Sequence, residues 1–182
     1  NNTAVGFESL CKNTTGAGNI AIGCGALCQN TTASGNIGIG REAGISVTTG
    51  AYNTFIGENV ASNSTTGSYN AALGKEALKV STTGFEQVAL GNQALVANTT
   101  GACNIGIGST AGGNITTGTN NIAIGRSAGT DAVRDLATSC SHNIVMGNNS
   151  HTAAYIKIDW TVTSDLRDKT EIKNVTHGLD FV

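Results

Sequence analysis

A glycine preceded by an aliphatic residue returns every 17 residues along most of this chain, at Gly6, Gly23, Gly40, Gly57, Gly74, Gly91, Gly108 and Gly125. The residue before it is Val5, Ile22, Ile39, Ile56, Leu73, Leu90, Ile107 or Ile124. Four residues before the glycine stand Asn2, Asn19, Asn36, Asn53, Asn70, Gln87, Asn104 and Asn121. A Thr-Thr pair keeps the same step from Thr14-Thr15 to Thr116-Thr117, followed by glycine in every copy but one, where Ala33 stands. A period held this strictly defines a stacked array, because one short unit cannot bury its apolar face alone and must do so against its neighbours. A ninth motif, Asn143-Ile144-Val145-Met146-Gly147, begins 22 residues after Asn121, so extra residues lie around Asp131 to Ser141.

Seventeen residues are too few for two helices, and the recurrent glycines oppose helix formation. Within Asn19-Ile20-Ala21-Ile22-Gly23 the residues alternate strictly, which predicts a short strand with both Ile on one side and Ala on the other. Each coil is then read as that strand, a glycine bend of positive φ, a second short strand near Ala26-Leu27, and a turn at Thr-Thr-Gly. Such coils stack about 4.8 Å apart into an all-β parallel β-solenoid or β-roll. A lone coil cannot be stable: ordering each residue costs roughly 1–2 kcal/mol, while each of its few buried aliphatics returns only about 1.5–3 kcal/mol. The row Ala4, Ala21, Gly38, Ala72, Ala89, Gly106 and Ala123, interrupted by Phe55, predicts a smooth face on which further copies of the chain pack, by analogy as a homotrimer. The Asn and Thr ladders read as structural, with Asn bonding along the stack and Thr suited to exposed bends. Adjacent Thr point different ways and do not make the flat face that ice binding needs.

Composition narrows the function classes. The chain has 182 residues, a net charge of -2, 12% charged and 4% aromatic residues and no Pro. Near-neutral charge argues against a nucleic-acid partner, which requires a basic surface. No apolar run approaches the roughly 20 residues of a membrane span, so no membrane insertion is expected. So few aromatics argue against a compact globular core. The cysteines Cys11, Cys24, Cys28, Cys103 and Cys140 are odd in number and form no Cys-x-x-Cys pair, which favours free thiols made in a reducing cytosol. Cys11 and Cys28 lie 17 residues apart, so they stack in neighbouring coils at a distance that permits a disulfide. His142, His151 and His177 lack ligand spacing, and no metal or cofactor is expected. The Asn-x-Ser/Thr triplets at Asn13, Asn30, Asn63, Asn98, Asn114 and Asn174 are weak evidence for glycosylation, following from the turn consensus. Nothing in the array points to turnover chemistry: no paired carboxylates recur, and no phosphate-cradling glycine motif precedes a helix.

After Gly147 the period stops. Tyr155, Lys157 and Asp159 alternate with Ile156, Ile158 and Trp160, a strand pattern, and a charged stretch follows from Thr163 to Ile172. Thr176 is placed to cap a helix start through Leu179, Phe181 and Val182. The spacing of Ser164, Asp165, Arg167, Lys169 and Ile172, followed by Gly178-Leu179, resembles the opening of the C-terminal intramolecular chaperone domain of phage tail spikes, tail fibres and endosialidases. The upstream array resembles the Asn-x-Ala-Ile-Gly repeats of phage fibres and of trimeric autotransporter adhesin heads.

The resemblance implies three regions: a β-solenoid shaft over 1–142, terminal strands and connector over 143–163, and from 164 to 182 the incomplete start of an α/β chaperone domain. It also implies that the domain helps three chains assemble and then cuts itself off between Ser164 and Asp165. Ser164 would be the nucleophile and Lys169 its base. Lys serves that role when burial lowers its pKa, and Arg167 would stabilise oxyanion charge or pair with Asp165 or Asp168. Cleavage is one event per chain, not turnover. The implied protein is a trimeric fibre of a bacteriophage virion, made in the host cytoplasm, whose partners are two identical chains and a host-surface receptor, glycans included. The alternative is the head of a bacterial trimeric autotransporter adhesin.

Overall fold

The computed structural model describes residues 1–130, 135–136 and 139–153. Asn1–Thr152 form one compact unit and Ala153–Val182 a second. The strand expected up to Trp160, the helix start after Thr176 and the chaperone opening with Ser164, Asp165, Arg167 and Lys169 lie outside the described residues.

The first unit is all-β. Nine three-residue strands, β1 (Thr3–Val5), β2 (Ile20–Ile22), β3 (Ile37–Ile39), β4 (Thr54–Ile56), β5 (Ala71–Leu73), β6 (Val88–Leu90), β7 (Ile105–Ile107), β8 (Ile122–Ile124) and β9 (Ile144–Met146), form one parallel sheet in chain order. Equivalent residues pair throughout, as in Ile20↔Ile37, Ala21↔Gly38 and Ile22↔Ile39. The longer connection before β9 leaves the register unchanged, with Ile122 opposite Ile144 and Ile124 opposite Met146. This is the parallel β-solenoid of 17-residue coils that the period predicts.

Each strand from β1 to β8 ends at the recurrent glycine, whose φ lies between +113° and +141°. A β-carbon there has no room: on Gly40 it would stand 2.4 Å from the carbonyl oxygen of Gly57. Conformation and close approach therefore both require glycine at this position. The Thr-Thr-Gly glycines are set by space alone. Gly50 is not left-handed, and it is glycine because a β-carbon would meet Gly67 O at 2.2 Å.

The second strand expected near Ala26-Leu27 is instead a run of turns. The chain alternates into left-handed backbone at Glu42 (φ 58°) and Gly44 (φ 58°), and tight bonds close from Ala43 N–H to Gly40 O (3.3 Å) and from Val47 N–H to Gly44 O (3.0 Å). These turns still stack like strands, since Leu27 N–H donates to Ala43 O (3.0 Å) and Leu78 N–H to Ala94 O (3.0 Å). A third vertical ladder runs through the Thr pairs, with Thr65 N–H on Thr82 O (2.9 Å) and Thr82 N–H on Thr99 O (2.8 Å).

The Ala/Gly row does not form an outer packing face. Ala21, Phe55, Ala89 and Ala123 are fully buried and point into the coil. The reason is volume. Leu27, Leu78 and Leu95 project inward from the turns, leaving the strand space for little more than a methyl group. A β-carbon on Gly38 would stand 2.8 Å from Leu27 Cγ. The core is thus a narrow column of Leu and Ala.

The Asn column completes it. Asn53 Nδ2 donates to Gly67 O (2.8 Å) across its own coil, and Asn53 Oδ1 accepts from Asn70 N–H of the next (2.9 Å). One buried amide thereby closes a coil and joins it to its neighbour, which satisfies backbone groups that the apolar column cannot.

Candidate functional site

With the small residues turned inward, alternation places two rows of larger side chains on the outside of the sheet. One runs through Ile20, Ile37, Val88, Ile105 and Ile122, half-buried against its own neighbours. The other, immediately before the bend glycines, is more open: Val5 is 58% exposed, Leu73 51%, Ile22 38% and Met146 66%. A continuous apolar stripe at every step of a sheet is more than scattered surface hydrophobicity. The Ala/Gly row expected to seat further copies is thus closed off in the core, and the exposed apolar side chains lie on the opposite side of the strand. Phe55 was the available signal in the sequence, because a ring that size does not belong in a smooth close-packed row.

Next to this face the turn residues carry charge. Glu58 lies between Arg41, whose guanidinium hydrogen-bonds it, and Lys75 at 3.6 Å, while Glu76 meets Lys79 at 3.1 Å and Gln93 Nε2 at 2.8 Å. The hydrogen bond from Arg41, followed by the charge of Lys75, holds the Glu58 carboxyl below the usual carboxylate range. Gln93 and then Lys79 do the same for Glu76. These groups bridge successive coils in a solvated ladder. On another edge Tyr52 and Tyr69 stack with ring centroids 5.4 Å apart and planes 9° apart, both well exposed.

The triplet Asn residues divide by burial. Asn30 and Asn98 are fully buried, so neither can carry a glycan in the folded coil, whereas Asn63 and Asn114 are exposed. Among the described residues no group of His, Cys, Asp and Glu could hold a metal ion, and no helix is long and apolar enough to cross a membrane. The residues read as the processing site, Ser164, Asp165, Arg167 and Lys169, are not among those described.

Fold and face together define a parallel β-solenoid with an apolar outer stripe. Comparison with family models, with curated proteins and with solved structures finds no match to this chain.

Proposed function

We propose that this chain is the shaft and receptor-presenting part of a homotrimeric viral tail fibre, of bacteriophage type, joined to the start of a chaperone that releases itself between Ser164 and Asp165. The observation that carries the reading is the apolar outer stripe from Val5 to Met146. A partner that buries such a stripe along its whole length needs an apolar row with the same rise of about 4.8 Å per step. Two further copies of the chain, aligned in register, supply it at every coil. The charged turns keep the remaining surface solvated. Ser164 and Lys169 support the fibre reading over the adhesin-head alternative, which calls for a coiled-coil stalk and membrane anchor downstream where the fibre reading calls for more chaperone.

The test is expression of the chain with its natural continuation. Light scattering is expected to give three copies per particle, and a variant carrying Leu73→Asp and Leu90→Asp is expected to stay monomeric with its β circular dichroism intact. On gels the parent is expected to split into two fragments, while Ser164→Ala and Lys169→Ala stay whole. A monomeric parent would remove the assembly reading. Cleavage of both dyad variants at the parent's rate would remove the processing reading.

A further inference from the structure

We infer that Cys11 and Cys28 form a thiol pair that closes, under oxidation by a low-molecular-weight disulfide such as glutathione disulfide, into a covalent staple between the first two coils. The two occupy one position of the repeat, which the following coils fill with Ile45, Ser62, Lys79, Val96 and Gly113, so no other cysteine lies in the row. Their Sγ atoms are 2.8 Å apart, and the Cys11 thiol also reaches Cys28 O at 3.5 Å. The backbones on either side are locked in parallel register by Leu10 N–H on Ala26 O (2.9 Å) and Lys12 N–H on Cys28 O (3.1 Å). The coil spacing of about 4.8 Å falls inside the disulfide Cα range of about 4.4–6.8 Å, so stacked positions are within disulfide reach.

Access orders the chemistry. Cys11 is exposed and Cys28 is buried. Burial, reinforced by the neighbouring Cys11 thiol, pushes the Cys28 thiol up to about 11. Soluble oxidant therefore meets Cys11 first: its thiolate attacks one sulfur of glutathione disulfide, forming a mixed disulfide and releasing one glutathione thiolate. Cys28 then loses its proton, and its sulfur attacks Cys11 Sγ and expels the second glutathione. Two protein thiols are oxidised and one glutathione disulfide is reduced to two glutathiones.

The experiment treats the full folded chain with glutathione disulfide, then counts maleimide-reactive thiols and maps linked peptides by mass spectrometry. The expected result is that two of the five thiols are lost without gaining glutathione, with a Cys11–Cys28 cross-linked peptide and amide exchange in β1 slowed about tenfold or more, all reversed by dithiothreitol. Cys11→Ser replaces an exposed side chain and is expected to fold but to show no slowing, whereas Cys24→Ser keeps the full response. Glutathione retained on Cys11 as a stable adduct, five thiols still free after Cys24 in a denatured control has reacted, or a cross-link that uses Cys24, Cys103 or Cys140 would each overturn the inference.

Discussion

Phe55 fills, from the fourth coil, the space that Gly44 leaves in the third: a β-carbon on Gly44 would stand 2.8 Å from Phe55 Cδ2. Other coils put a larger residue at the Gly44 position, among them Leu27, Leu78 and Leu95, with φ between 50° and 52°. Backbone conformation is therefore no bar to leucine there; the ring is. Gly44→Leu alone is expected to destabilise by about 1–3 kcal/mol through overpacking, and Phe55→Ala alone by about 3–5 kcal/mol through a cavity. The double variant should cost clearly less than the sum, since it restores the Leu78 and Ala89 combination of a later coil. Urea unfolding of the four proteins measures the coupling, and simple additivity would show that the two positions do not share one volume.

The two glycine rows should respond differently to alanine. Gly40→Ala meets both a φ of +128° and the Gly57 carbonyl oxygen, and is expected to cost about 3 kcal/mol or more. Gly50→Ala meets the Gly67 carbonyl and the Thr66 backbone but no left-handed φ, at a position where the second coil already carries Ala33. Its cost should be smaller, about 1–2 kcal/mol. Thermal unfolding of both variants orders them.

Gln87 breaks the Asn column. Its Oε1 is buried without a partner, and its Nε2 turns to Ser81 Oγ at 3.4 Å, where Asn70 and Asn104 instead reach glycine carbonyls at 2.9 and 2.7 Å. Replacing both residues together, Gln87→Asn with Ser81→Asn, reproduces the pattern of the second coil, in which Asn36 and Asn30 meet at 3.4 Å. The pair is expected to stabilise by about 1 kcal/mol and to raise Tm. Asn53→Ala should do the opposite, by about 2–3 kcal/mol, because it strands Gly67 O and Asn70 N–H inside the coil.

How much of this was legible follows from what stacking requires. Hydrogen-bonded coils must be equivalent, so the period disclosed the parallel sheet, its register and the Asn column. Alternation alone does not say which side is inside; that depends on Leu27 and Leu78, which enter the core from turns whose geometry the sequence conceals. Glu42 and Leu27 are left-handed without being glycine. The one signal was that Gly25 replaces the first of these positions, and Gly44, Gly112 and Gly129 the second, in other coils. The apolar outer stripe was present as letters from the start, but its role depended on that inside-outside assignment.

Acid should weaken the charged ladder. Glu58 has a folded pKa below the ordinary 4.5, so its contribution is complete above that value and is lost as pH falls through the lower, folded one. The Tm of the parent is expected to exceed that of Glu58→Gln at neutral pH, and the gap to close progressively below about pH 4.5. Because the pair is exposed to solvent, molar salt should shrink the same gap at neutral pH.

The connection before β9 carries extra residues, yet Ile124 still lies opposite Met146. Register here is a property of the strand and its flanking Asn, indifferent to the length of chain between them. Gain or loss of a whole repeat by unequal recombination would leave the strand register at every junction as it was. The stack can therefore be lengthened or shortened across generations in fixed increments.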